Sequence, residues 1–211
     1  MFIDAMKWLS KIKRTVRLLL FMPVAWIWLL VYCFSSQREK IDMDLDSFSK
    51  VHIGRIPVKG RKLRLIIELI SFAEFRSLFL YRIGKKGHFI KYFMPRGALQ
   101  LGFDVPREKF GGGLFIQHGY CTDLSARAIG EHCWINQRVT LGYKGDECPT
   151  IGDHVSIGVG AVVLGGVKIG NNVRIGANAI VVHDVPDNCT VCSPAATIVK
   201  KRDSNEIESS L

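Results

Sequence analysis

The sequence lacks the features of a small secreted protein that is held together by disulfides. Its six cysteines are scattered along 211 residues, and the Cys189-x-x-Cys192 pair has no second pair to complete a zinc site. We therefore expect reduced thiols in a cytosolic compartment. An apolar content of 48% excludes a disordered chain. A mean hydropathy of only +0.16 excludes a uniform bundle of membrane helices.

Acidic residues are scarce in the first half of the chain. Residues 1–100 contain 19 Lys and Arg against 7 Asp and Glu, whereas residues 101–211 contain 10 and 12. The net charge is therefore +12 in the first half and −2 in the second. A basic segment of this kind suits either a nucleic acid or an anionic lipid surface.

The basic half also contains a long apolar run. Leu18 to Phe34 is an unbroken stretch of 17 apolar residues, with five Lys or Arg before it and two soon after it. It is slightly shorter than the roughly 20 residues that cross a bilayer, and Pro23 would kink a helix at this point. The end of the run offers no small-residue cleavage site, so we do not expect a cleaved signal peptide.

A second apolar and basic stretch lies at residues 61–96, where Lys and Arg are interleaved with aromatic residues. This pattern is typical of a segment on an anionic membrane surface, although single-stranded nucleic acid could also bind it. Because the apolar run lies nearby, we expect membrane contact through residues 7–34 and 61–96, at the cytoplasmic face of the plasma membrane, and no nucleic-acid partner. The alternative is that residues 18–34 form a helix packed within the protein or in an oligomer interface.

The second half of the chain repeats every six residues from Ile129 onward. Each unit opens with an aliphatic residue, often followed by glycine, and residues 143–150 interrupt the repeat. A period of six fits a three-sided coil with one short strand on each side, in which the opening aliphatic residues point inward and stack. We predict a parallel β-helix over residues 99–202, after a helical membrane-associating region over 1–98 and before a polar tail over 203–211.

The repeat resembles that of the hexapeptide-repeat acyltransferases. The likeness is greatest to the serine acetyltransferase branch and to the related capsule and exopolysaccharide O-acetyltransferases. The matching stretches are GGGLFIQHG (111–119), INQRVTLG (135–142), IGDHVSIGVGAVVLG (151–165), IGANAIVVHDVP (175–186) and SPAATIVKK (193–201). The resemblance implies an all-β left-handed parallel β-helix, a homotrimer, and an O-acetyltransferase that uses acetyl-CoA as co-substrate and no metal.

The resemblance also implies roles for individual residues. His118 matches the histidine that serves as general base, since an imidazole can take the proton of a hydroxyl near neutral pH. Asp104 is similar to the aspartate that orients this histidine, and Gln137 matches a glutamine near the site. The positions similar to those that hold acetyl-CoA are Gly142, Val159, Gly160, Ala177, Lys200 and Lys201.

Three positions depart from the serine acetyltransferase pattern. Gln117 stands where the family has an aspartate that holds the ammonium of serine, and Glu147 and Cys148 stand where it has the Arg and His that hold the carboxylate. Because both charges of serine would lose a partner, we expect a different acceptor. The predicted acceptor is a hydroxyl of a polysaccharide or of its lipid-linked precursor, near Gln117, Gln137, Tyr143 and Cys148. Two alternatives are a serine O-acetyltransferase and a non-catalytic, membrane-bound trimeric scaffold.

Overall fold

The computed structural model describes residues 12, 15–52, 59–95 and 101–197. Helices make up the described chain as far as residue 93, and short strands begin at Leu101. The parts of the predicted membrane-contact and β-helix regions that fall on 7–11, 13–14, 96–100 and 198–202 lie outside the described residues. So do the polar tail, Lys200 and Lys201.

The helical part begins with a long apolar helix. Thr15–Cys33 is, among the described residues, the one helix that could cross a membrane by length and composition. Pro23 lies within it, in the 3₁₀ turn Met22–Val24. The α-helices that follow this turn are α1 (Ala25–Cys33), α2 (Arg38–His52), α3 (Arg61–Ser71), α4 (Ala73–Ile83) and α5 (Lys85–Ile90).

The helices bury apolar side chains at helical spacing. Ile41, Leu45 and Phe48 of α2 recur every three or four residues, so they share one face of the helix, and all three are buried. Leu65 and Leu69 of α3 follow the same spacing and are fully buried. These side chains belong to one hydrophobic core that continues into the strands, and the division into separate domains therefore stays a prediction.

The strands wind into a coil with three sides. Each side is a parallel sheet, with the orders β1-β3-β6-β9-β12, β10-β7-β4 and β13-β11-β8-β5-β2. The strands are β1 (Leu101–Asp104), β2 (Phe115–Ile116), β3 (Thr122–Ser125), β4 (Ala128–Ile129), β5 (Trp134–Ile135), β6 (Thr140–Gly142), β7 (Thr150–Ile151), β8 (Ser156–Ile157), β9 (Val162–Leu164), β10 (Lys168–Ile169), β11 (Arg174–Ile175), β12 (Ile180–Val181) and β13 (Thr190–Val191).

The aliphatic residues of the repeat stack inside this coil. Ile135, Ile157 and Ile175 are paired in register from β5 to β8 to β11, and each is at most 3% exposed. Stacking of one aliphatic side chain on its equivalent in the next coil is what a six-residue period in a three-sided coil requires. The predicted left-handed parallel β-helix, with a helical segment before it, is confirmed.

The helical segment closes the first coil of the β-helix through a buried ion pair. Arg82 of α4 binds Asp44 of α2 with a Nε–Oδ2 distance of 2.9 Å, and both side chains are at most 1% exposed. Asp44 accepts a hydrogen bond from the Leu114 amide, and Arg82 donates to the carbonyls of Phe110 and Gly111. The ion pair therefore provides hydrogen-bond partners for backbone groups of the first coil, on whose outer side the described residues form no further coil.

Burial of the Asp44 carboxyl is the main influence on its ionisation. Desolvation raises the pKa of Asp44 above its ordinary value, and the Arg82 guanidinium and the amide hydrogen bonds oppose that rise. A buried carboxylate and guanidinium that satisfy each other tolerate the loss of water, whereas either one alone would be a costly buried charge. Removal of either Asp44 or Arg82 alone would therefore destabilise the contact between the helical segment and the β-helix.

Candidate active site

His118 lies at the corner between β2 and β3, where the coil has two extra residues. Ile116 pairs with Ile135 and Asp123 with Thr140, so the chain takes seven steps at this corner and five at the equivalent corner one coil later. The extra residues bulge outward, and His118 is exposed. Its φ of 65° is in the left-handed region, as it also is for Arg138 and Asn178 at the corners of later coils.

A cavity of about 220 Å³ lies beside His118. It is lined by Phe48, Val51, Phe72, Glu74, Phe115, Ile116, Gln117 and His118. The helical segment thus forms one wall and the first coil forms the other. The lining combines five apolar side chains with the polar groups of Glu74, Gln117 and His118, and the imidazole lies beside a partly enclosed space that could hold a small substrate.

Glu74 is the carboxylate among these lining residues. It lies in the first turn of α4 and is half-buried. A Cβ added at Gly119 would lie 3.4 Å from Glu74 Cγ, so this side chain packs against the turn that holds His118. Glu74 is not among the site residues predicted from the sequence. It lies 44 residues before His118, in a segment predicted to contact a membrane, and no motif there indicates a site.

Four predicted residues lie on the same corner as His118, in successive coils. Backbone hydrogen bonds join these coils: the Arg138 amide donates to the Tyr120 carbonyl, Gly160 to Gln137 and Asn178 to Val159. Gln137, Val159, Gly160 and Ala177 therefore form one column of corner residues beside His118. Such a column presents corner backbone along a line, with glycine and alanine at two of its positions, which suits an extended, flexible ligand such as the pantetheine arm of acetyl-CoA.

Glycine is required at one position of this corner. Gly160 has a φ of 70°, and a Cβ there would collide with the Asn178 side chain. Gly142, by contrast, lies at the far end of β6, where it pairs with Leu164. The structure thus brings together the predicted cofactor residues 159, 160 and 177 but not Gly142.

Asp104 contacts Tyr143. The Tyr143 hydroxyl donates to Asp104 Oδ2 at 3.0 Å, and this hydrogen bond to a carboxylate raises the pKa of Tyr143 above its ordinary value. No hydrogen bond joins Asp104 to His118 within the residues that the structure describes. Asp104 instead ties β1 to the loop between β6 and β7, and its predicted role in orienting His118 stays a prediction.

Gln117 contacts an aromatic side chain on the next coil. The Trp134 indole N–H donates to Gln117 Oε1 at 3.2 Å, and the Trp134 ring lies edge-on to Phe115 at a centroid distance of 4.6 Å. The two interactions position the neutral amide of Gln117 at the side of the cavity. Of the other predicted acceptor contacts, Tyr143 is exposed on the loop, whereas Cys148 is buried in it.

No cluster of three or more His, Cys, Asp or Glu side chains that could hold a metal is found within ranges 15–52, 59–95 and 101–197. The rings of His132 and His154 stack at 5.1 Å on another corner of the coil. The expectation of a reaction without a metal stays a prediction.

Comparisons with known proteins place the chain among the acetyltransferases. Residues 148–183 match the model of the bacterial transferase hexapeptide family, six repeats. A serine acetyltransferase from Helicobacter pylori (strain ATCC 700392 / 26695) is 39% identical over 147 residues, which cover 64% of this chain and 86% of that protein. A serine acetyltransferase from Synechococcus elongatus is 46% identical over 138 residues, covering 58% of this chain. The match spans only 55% of the Synechococcus protein.

A solved structure shares the fold. The serine acetyltransferase of Neisseria gonorrhoeae, in complex with serine, is 27% identical to this chain with a TM-score of 0.58. The match covers 82% of this chain and 73% of that one. It therefore extends beyond the β-helix and includes part of the helical segment.

The prediction of a polysaccharide acceptor is wrong. The curated relatives are serine acetyltransferases at 39% and 46% identity, which favours the alternative of serine O-acetylation. The side chains of Gln117, Glu147 and Cys148 do not complement the charges of serine, but they are not the whole site. The helical segment adds the carboxylate of Glu74 to the cavity beside His118.

The sequence comparison and the fold together assign this chain to a family. A parallel β-helix with hexapeptide repeats carries a histidine at a widened corner, and a relative at 39% identity is covered over 86% of its length. The chain is an acyltransferase and belongs to the serine acetyltransferase family of hexapeptide-repeat enzymes.

Proposed function

We propose that the protein is a serine O-acetyltransferase that uses acetyl-CoA as the acetyl donor. The observation that carries this proposal is the carboxylate of Glu74 in the cavity beside His118. A small amino acid with a hydroxyl needs an anion for its ammonium group and a base for its hydroxyl, and this cavity offers both. Its small size and its mixed polar and apolar lining favour a small polar substrate.

His118 would serve as the general base. As the serine oxygen attacks the thioester carbonyl, the imidazole takes the hydroxyl proton, and it can then return that proton to the departing thiolate of CoA. The acetyl group passes directly between the two bound substrates, so no covalent enzyme intermediate forms. Because His118 is exposed on a bulged corner, its ring can face both the cavity and the neighbouring corner column.

Glu74 would hold the serine ammonium in this arrangement. A charge-assisted hydrogen bond from an ammonium to a half-buried carboxylate is stronger than a neutral one. Gln117, which is already bonded to Trp134, would border the same space with a neutral amide. The lining residues include no Lys or Arg, so the serine carboxylate would be held by backbone amides or by residues beyond this set.

Acetyl-CoA would lie along the corner column of Gln137, Val159, Gly160 and Ala177. Gly160 and Ala177 leave the backbone of this corner open, which lets an extended ligand approach closely. Lys200 and Lys201 keep their predicted role at the phosphates of the donor. We also propose a homotrimer, the usual assembly of hexapeptide-repeat acetyltransferases, and its mass in solution by light scattering tests that assembly.

The direct test is free CoA release by the purified protein with acetyl-CoA and serine. We expect serine-dependent release that His118→Ala abolishes. 3-Hydroxypropionate keeps the hydroxyl and carboxylate of serine but lacks the ammonium group, so it should be a much poorer acceptor. CoA release that is equal with both acceptors, or that is independent of serine, would show that the ammonium site does not exist.

A further inference from the structure

The helix Thr15–Cys33 has two apolar faces, and the protein covers only one of them. Ala25, Trp28 and Tyr32 of α1 lie on one side and are at most 2% exposed. Leu19 and Trp26 lie on the opposite side and are 71% and 60% exposed. A helix that is apolar all round is normally buried all round, so the second face requires an apolar environment that the described chain does not provide.

The exposed residues form a continuous stripe. Leu19, Met22, Trp26 and Leu30 are spaced by three or four residues, which places them on one side of the helix. Phe34, just beyond the end of α1, extends the stripe and is 76% exposed. A contiguous exposed apolar patch on a folded protein marks an interaction surface, whereas single exposed apolar residues are ordinary.

Exposed cations and aromatic rings lie on the helix that packs against α1 and on the turn that follows it. The short helix α5 packs against α1, and Lys85 and Lys86 of α5 are exposed. Phe89 and Tyr92 are 65% and 70% exposed in the same region, and the Lys91 ammonium lies 5.3 Å from the centre of the Tyr92 ring. We call the exposed stripe, together with these residues of 85–92, the basic apolar face.

We propose that the basic apolar face docks on an anionic lipid surface, with the helix Thr15–Cys33 lying in the headgroup region. Apolar side chains and rings enter the boundary of the acyl chains while nearby lysines meet lipid phosphates. The helix lies along the surface because its other face is packed on the protein. A twofold contact with a second copy of this chain is a poorer arrangement, since it would bring the same lysines together.

The experiment is co-sedimentation of the full-length protein with vesicles of phosphatidylcholine, with and without phosphatidylglycerol. We expect binding to the anionic vesicles that falls with added salt. The double variant Trp26→Ser/Leu30→Ser should bind about tenfold or more weakly, because two large apolar side chains no longer enter the lipid. Lys85→Gln/Lys86→Gln should lose about tenfold on anionic vesicles and nothing on neutral ones.

Matched variants on the β-helix keep the test specific. Ile180→Ser removes a side chain that is 70% exposed, and Lys168→Gln/Arg174→Gln removes two exposed cations of the β-helix. Both controls should bind vesicles as the unaltered protein does. CoA release should be unchanged in every one of these variants, so a failure of membrane docking is distinguishable from a failure of the proposed enzymatic function.

Two outcomes would overturn the proposal. One is an absence of binding to anionic vesicles, or binding that the Trp26 and Lys85 variants leave unchanged. The other is a mass in light scattering that falls in Trp26→Ser/Leu30→Ser without any vesicle binding, which would assign the basic apolar face to a second copy of the chain.

Discussion

The helical segment and the β-helix are built on different principles. The β-helix stacks equivalent aliphatic residues, such as Ile135, Ile157 and Ile175, in register from coil to coil. The helical segment has a heterogeneous core of aliphatic and aromatic side chains that includes the buried ion pair of Asp44 and Arg82. The proposed site lies where the two meet, with the base on a corner of the coil and a carboxylate from a helix. In the proposed mechanism, the repeating half provides the general base and the irregular half provides the group that binds the acceptor.

The largest effect should come from the base. We expect His118→Ala to lower kcat by about 10²–10⁴-fold, the usual contribution of a general base. The substitution affects an exposed side chain, so the midpoint of thermal unfolding should stay close to that of the unaltered protein. A variant that folds normally and keeps its activity would remove His118 from the mechanism.

Loss of the buried ion pair tests how far the two regions depend on each other. Asp44→Ala leaves the Arg82 guanidinium buried without its partner, so we expect the free energy of unfolding to fall by about 3–5 kcal/mol. Urea unfolding measures this change. The matched control is Arg61→Ala, which removes an exposed partner of Asp42 at 3.2 Å and should cost less than about 1 kcal/mol. Equal losses from the two variants would contradict the role of the buried pair.

Glu74→Gln tests whether the helical segment recognises the acceptor. Without the negative charge we expect KM for serine to rise about 10–100-fold, from the loss of one charge-assisted hydrogen bond, while KM for acetyl-CoA stays unchanged. Glu39→Gln alters a carboxylate in the first turn of α2 that does not line the cavity, and it should leave both constants as they are. A rise in KM for the donor instead would place Glu74 on the other substrate.

The smallest effect should come from trimming one stacked residue of the coil. Ile157→Val removes one methylene from a fully buried position, and we expect a loss of about 0.5–1.5 kcal/mol in the free energy of unfolding. Activity measured well below the unfolding temperature should not change. A loss of activity at this low assay temperature would show that the corner column depends on the packing of this coil.

Much of the fold and part of the site could be predicted from local sequence. The six-residue period indicates the coil, whereas Gln137, Val159 and Ala177 are identified through the family resemblance, and the structure shows that they share one corner. Glu74 could not be identified in either way, because no repeat or motif relates α4 to the turn at His118. The wrong acceptor has the same cause, since the local sequence shows a neutral side chain at Gln117 but not the carboxylate that lies in the same cavity.

The repeating coil, the motif that contains His118 and the basic, apolar character of the first half are all evident before any contact between distant residues is known. Each of these depends on residue type and short-range spacing. The corner position of His118, the helix that forms the wall of the cavity, the bond of Asp104 to Tyr143 and the uncovered face of the helix Thr15–Cys33 emerge only in the folded chain. Those outcomes depend on contacts between residues that lie tens of positions apart, and only the packing of the whole core brings such residues together.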